Sequence, residues 1–183
     1  MDTTKVLNSG LLGMFTTAEK RRLILIETLT SKQTWMELET LAKVADCSLK
    51  TLATDFNFIE VAWSAIVKLE QSKKLGVRLH YIRDAKVEHI YQEILRNSQN
   101  FEFSERLFFQ PFQSEEDWLK ELFISESSLY RMVQTINKSY SGINVEIIRR
   151  PYYIKAKEER WLRLHFSNYF VKAYGNIIWP FKG

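Results

Sequence analysis

One cysteine, three prolines, six glycines and three histidines are all that this chain of 183 residues carries of the residue types that usually mark chemistry or special backbone. Cys47 alone closes no internal disulfide, and His80, His89 and His165 are scattered without the spacing of a zinc or haem site. With so little glycine there is no Gly-rich phosphate loop. No apolar run approaches the roughly 18 residues of a membrane span, and Met1 to Gly13 lacks the basic start and apolar core of a signal peptide. Glu115-Glu116-Asp117, the nearest approach to paired carboxylates, sits in a first helical turn, where acids complement the helix dipole. These absences predict a cytoplasmic protein with no cofactor, metal or membrane partner, and not an enzyme.

Bulky apolar side chains are abundant: 12 Phe, 8 Tyr and 5 Trp within a 45% hydrophobic composition. Each buried aromatic removes roughly 150 to 250 Å² from water, so two small cores are affordable. Apolar residues at helical spacing predict a helix over 17–31, capped by Thr16 or Thr17. Thr34 with Glu37 makes a capping-box pattern before a second helix that stops near Ala45. Ser48 can cap a third helix carrying Leu49, Leu52, Phe56 and Ile59. Ala65 to Leu69 and Leu75 to Leu79 then read as a hairpin around a Glu70 to Lys74 tip.

An offset of 77 repeats this pattern. It carries Leu41, Ala42, Ala45, Cys47, Ser48, Thr51, Leu52, Phe56 and Ile59 onto Trp118, Leu119, Leu122, Ile124, Ser125, Ser128, Leu129, Val133 and Ile136. A second hairpin follows, with its tip at Arg149-Arg150-Pro151. Cys47, equivalent to Ile124, is expected in the core. Helix, helix, break, helix and hairpin is the element order of a winged helix-turn-helix. The expected fold is mostly α with small β-hairpin wings, two tandem winged helix-turn-helix modules joined by a helix. The expected divisions are residues 1–82 for the first module, 83–98 for the connecting helix, 99–156 for the second module and 157–183 for a C-terminal helix. Trp179 to Gly183 reads as the approach to a further domain.

Charge is segregated along the chain. The net charge is only +4, but residues 99–126 carry 2 basic against 7 acidic residues (−5), and residues 127–183 carry 10 against 3 (+7). Basic charge concentrated on a helix-turn-helix is what double-stranded DNA recognition requires. The predicted DNA-binding residues of the first module are Ser48, Lys50, Thr51, Thr54 and Asn57 on the recognition helix, with Lys73 and Lys74 on the wing. In the second they are Ser127, Tyr130, Arg131, Gln134 and Lys138, with Arg149 and Arg150 on the wing. Arg131 can pair with guanine and Gln134 with adenine, while the wing cations suit phosphates. The expected function is a DNA-binding transcriptional regulator that places two recognition helices in major grooves with basic wings on phosphates and reads DNA shape more than sequence. A winged-helix scaffold for another protein is the alternative.

The tandem pattern Leu38-x-x-Leu41-Ala42 followed by Cys47-Ser48-x-x-Thr51-Leu52, its copy from Trp118 to Leu129, and the closing Lys157-Glu158-Glu159-Arg160 helix resemble the N-terminal DNA-binding half of the Mga family of transcriptional regulators. The resemblance covers about residues 10 to 175. It implies a virulence regulator and a longer protein, with phosphotransferase-regulated domains and a dimerising C-terminal region through which homo-oligomers form.

Overall fold

Short polar side chains set where the helices begin. In the computed structural model, which describes residues 12–175, Thr16, Ser48, Ser98, Ser114 and Ser125 each accept a hydrogen bond from the backbone amide three residues on. That bond satisfies one of the amides a helix start leaves without a partner. At Thr16 the capping box is complete, because Glu19 reaches back to the Thr16 amide at 2.7 Å. Residues 176–183, including Trp179 to Gly183, lie outside the described residues, as do residues 1–11 of the N-terminal stretch.

The chain divides into two compact units. One runs from Thr16 to Glu93, and the other runs from Ile94 onward and includes the segment ending at Phe15. The first holds α1 (Thr17–Lys32), α2 (Leu38–Val44), α3 (Leu49–Ala62), β1 (Val67–Ser72), β2 (Gly76–Tyr81) and the first part of α4 (Val87–Arg96). Its core is Leu23, Ile26, Leu29, Leu41, Leu52, Phe56, Ile59 and Trp63, with Val67, Leu69, Val77 and Leu79 from the inner face of the hairpin. Asp55 is buried among them at 0% exposure. Arg21 and Arg22 of α1 meet it: Arg22 Nε donates to Oδ1 at 2.8 Å, and Arg21 Nη2 to the same oxygen at 3.2 Å.

Three details differ from the sequence reading. The hairpin pairs Val67 with Tyr81 through Ser72 with Gly76, about two residues later than expected, which leaves Lys73-Lys74-Leu75 as the tip. The reason is the turn after α3, where the Trp63 carbonyl accepts the amides of both Ile66 and Val67 and so consumes the start of the expected strand. Thr34 does not cap α2. Its N-cap is Glu37, without a side-chain hydrogen bond, because Met36 is extended and exchanges two backbone hydrogen bonds with Val77 at 2.8 and 2.9 Å. Gly76 permits that approach, since at φ +90° a Cβ there would lie 1.9 Å from the Met36 carbonyl oxygen. Cys47 is half-buried rather than enclosed in the core.

The second unit repeats the first: α5 (Gln99–Phe109), α6 (Glu115–Leu122), α7 (Glu126–Tyr140), β3 (Val145–Ile148), β4 (Tyr153–Ala156) and then α8 (Glu159–Tyr174). The Met36–Val77 bridge recurs as Gln113–Tyr152. The left-handed residue before the recognition helix recurs too, as Asp46 (φ 47°) and Phe123 (φ 52°), and so does the bulky buried residue ending it, Trp63 and Tyr140. Here the core is aromatic. Phe103 meets Trp118 edge-on at 5.0 Å, and Phe101 stacks on Tyr169 of α8 at 4.1 Å. The Tyr169 hydroxyl donates to the Phe101 carbonyl at 2.6 Å. His165 of α8 is buried beside Tyr140 at 4.6 Å, with no hydrogen-bond partner at either ring nitrogen among the described residues. Gly175 ends the helix, donating to the Val171 carbonyl.

Candidate nucleic-acid interface

Each recognition helix buries one stripe and turns another outward. On α3 the buried stripe is Leu52, Asp55, Phe56 and Ile59, and Lys50, Thr54 and Asn57 are exposed. Ser48 and Thr51 are occupied at the cap: the Thr51 amide donates to Ser48 Oγ at 3.1 Å, and the two hydroxyls lie 2.9 Å apart. Thr54 Oγ1 donates to the Lys50 carbonyl at 3.1 Å. The side chains of Lys50 and Asn57, like those of Lys73 and Lys74 at the wing tip, make no ion pair or hydrogen bond among the described residues. The base of that wing is neutralised instead. Arg78 donates to Glu70 at 2.6 Å and lies over the Trp35 ring at 4.9 Å, and its hydrogen bond holds the Glu70 carboxyl below the usual range.

The second module brings more together. Ser127, Tyr130, Arg131, Gln134 and Lys138 are all on the exposed side of α7. Ser127 shares the cap, its hydroxyl 3.0 Å from that of Ser125. Arg131 Nε donates to the Ser127 carbonyl at 3.2 Å, which lays the guanidinium back along the helix. Glu126, Ser127, Tyr130, Arg131 and the wing residue Arg149 line a shallow surface concavity.

The two wing-tip arginines are not equivalent. Arg150 is 72% exposed and Arg149 only 28%. Arg149 Nε donates to the Tyr152 hydroxyl at 3.3 Å, Tyr152 donates to Glu115 Oε2 at 2.9 Å, and Arg149 Nη2 reaches the same carboxylate at 3.5 Å. The Arg149 guanidinium also lies 4.9 Å from the centre of the Tyr130 ring, within cation–π range. Hydrogen bonding from Tyr152 holds the Glu115 carboxyl below its ordinary value, and Arg150 and Arg149 act in the same direction. The segregation of charge in the sequence is therefore partly cancelled in space. The arginines of the +7 segment reach back to the −5 segment, while Lys155 pairs with Glu146, Arg160 with Glu158 and Arg163 with Glu159.

Sequence reasoning passes over Asp55 and Tyr152, and reads Glu115 only as an acid that complements the start of its helix. The signal for Asp55 is an acid interrupting an apolar stripe between Leu52 and Ile59. Glu115 and Tyr152 offer no comparable signal, since their partners lie 34 and 37 residues away. Burial pushes the half-buried Cys47 thiol up, away from the reactive thiolate. Among the described residues no group of three or more His, Cys, Asp or Glu is placed to hold a metal ion, and no helix is long and apolar enough to cross a membrane.

Two family descriptions match this architecture. The M protein trans-acting positive regulator (MGA) helix-turn-helix domain matches residues 16–70, and the Mga helix-turn-helix domain matches residues 83–170. The chain belongs to the Mga family of transcriptional regulators. Among curated relatives, a Streptococcus pneumoniae serotype 4 protein whose description is that of a trans-acting regulator is 29% identical over 163 residues, 88% of this chain and 32% of that protein. The capsule synthesis positive regulators AcpB and AcpA of Bacillus anthracis are each 22% identical, over 89% and 88% of this chain and 34% and 33% of theirs. This Mga-family chain thus spans about a third of the length of the curated relatives it matches. One copy of the repeat, Leu41 to Ile59, lies within the first matched domain, and the other, Trp118 to Ile136, lies within the second.

Proposed function

We propose that this chain is the DNA-binding part of a transcriptional regulator, with α3 and α7 entering major grooves and the wing tips resting on phosphates. The observation that carries the reading is the recurrence, 77 residues apart, of a serine-capped helix with an outward polar face. In each module that helix is followed by a hairpin with a basic tip. Six cations on these surfaces, Lys50, Lys73, Lys74, Arg131, Lys138 and Arg150, are exposed. Only Arg150 among them forms an ion pair among the described residues, with Glu115 at 3.7 Å. Short polar groups dominate α3, whereas α7 offers Arg131 and Gln134. Base-edge readout accordingly belongs to the second module, and the first reads backbone and groove shape. The regulator descriptions of the curated relatives support the same class of function.

The test is an anisotropy titration of a labelled mixed-sequence duplex at several salt concentrations. If each of these cations other than Arg131, which is assigned to a base edge, meets a phosphate, log affinity falls against log salt with a slope of about −4.5. No binding at low salt overturns the proposal. Binding of a protein partner is the second reading, favoured by Phe123 at 94% and Phe112 at 64% exposure beside the two ends of α6. An interface built on those rings would be nearly insensitive to salt.

A further inference from the structure

We infer that Glu115 is a built-in counter-ion that keeps Arg149 off the DNA backbone and makes it the support of Tyr130, leaving Arg150 as the phosphate contact of the second wing. The inference rests on the DNA-binding reading and divides its wing residues into two roles.

The triangle of Arg149, Tyr152 and Glu115 is closed. The Tyr152 hydroxyl has one proton and gives it to Glu115 Oε2, and it accepts from Arg149 Nε, while Arg149 Nη2 spans to the carboxylate. Its base is fixed. Tyr152 is fully buried, meets Phe103 edge-on at 6.2 Å and is bridged through its backbone to Gln113. Glu115 sits in the first turn of α6, where the helix dipole favours a negative charge. A phosphate that recruited Arg149 would have to displace an anion already in place, gaining little attraction, stripping Glu115 of one of its donors and the Tyr152 hydroxyl of the bond it accepts. Arg150 has only a contact of 3.7 Å to the same carboxylate and is 72% exposed, so it exchanges that contact for a phosphate at small cost.

What Arg149 does instead follows from its other neighbour. Its guanidinium covers the Tyr130 ring, and Tyr130 is 46% exposed on the recognition helix, lining the concavity with Ser127 and Arg131. A ring backed by a fixed cation loses less rotamer freedom on contact than a free one. Tyr130 is thereby presented to the groove as a rigid aromatic, and Arg149 is its positioning residue.

A cation already neutralised within the protein releases no counter-ion from DNA, so the salt slope separates the two arginines. With the full chain and a mixed-sequence duplex, R150A should make the slope shallower by about one, while R149A leaves it unchanged. E115Q should steepen it by about one by freeing Arg149, and the double variant E115Q/R149A should return to the parental slope. A purely structural role for Glu115 would not give a gain that Arg149 alone removes. If R149A lowers the melting temperature too far to titrate, E115Q, which keeps shape and size, decides the matter. R149A behaving like R150A, or E115Q leaving the slope unmoved, overturns the inference while DNA binding stands. Absence of binding by the parental chain overturns the DNA-binding reading itself.

Discussion

Arg22 of α1 donates from Nε to the Asp55 carboxylate of α3 at 2.8 Å, and its guanidinium lies 3.5 Å from the centre of the Phe58 ring, one helical turn beyond Asp55. Arg21 closes on the same carboxylate from the same helix. One buried acid thus ties the first helix to the recognition helix, and its hydrogen bond raises the Arg21 pKa further.

Asp55→Ala should therefore leave two arginines facing each other without a counter-charge. Breaking a buried pair of this kind costs about 3 to 5 kcal/mol, and the residual exposure of the arginines, 19% and 14%, places the expectation at the lower end. Denaturant unfolding followed by Trp63 fluorescence checks it. An unchanged midpoint would mean that the ion pair contributes nothing to holding the helix.

His165 makes the second unit sensitive to acid. Burial lowers its pKa from 6.5 to about 4, so between those values the unfolded chain binds a proton that the folded chain does not. Stability should be fully present above pH 6.5 and fall as the pH drops toward 4, by about 3 kcal/mol over the whole window. His165→Phe should flatten that part of the profile. The measurement is the urea midpoint across the window for both chains, and parallel profiles would refute the assignment.

Lys73 and Lys74 carry no core. Replacing both with Ala should reduce the magnitude of the salt slope by about two and leave the melting temperature within a degree or so. A substantial drop in melting temperature would place them in the fold rather than at the interface.

Arg131→Ala tests base readout by α7. On a preferred duplex it should cost about 1 to 3 kcal/mol, and much less on random sequence, compressing the ratio between them. An equal loss on both would reassign Arg131 to a phosphate and leave shape as the main source of specificity.

The features readable from sequence are those set by chemistry a few residues apart. Ser48, Ser114 and Ser125 announce helix starts, because a cap needs only its own hydroxyl and an amide three residues on. The offset of 77 carries the cap Ser48 onto Ser125 and the apolar stripe of one recognition helix onto the other. The wing edges move because the length of the turn after α3 depends on which amides the Trp63 carbonyl captures, a tertiary choice. The site is legible to the same extent. The outward residues of α3 and α7 are where helical spacing puts them, but Arg149 looks identical to Arg150 until Tyr152 and Glu115 are brought beside it.

Asn137 gives the second module a property the first lacks. Its side-chain amide accepts from the Ile147 amide at 2.6 Å and donates to the Ile147 carbonyl at 3.0 Å, so α7 grips β3 as a neighbouring strand would. At the equivalent place in α3 stands Glu60, which meets only the side chain of Gln71, at 3.3 Å and exposed to water. Turning α7 about its axis would swing its wing as well, so on the DNA-binding reading proposed above helix and hairpin would act as one caliper. Among the described residues, the first wing has no such clamp onto α3 and is tied instead to other elements, by the Met36–Val77 bridge and by the Thr30 and Tyr81 hydroxyls 2.8 Å apart. On that reading, a stretch of duplex with unusual groove width should be penalised under the second module, where helix and wing cannot adjust separately.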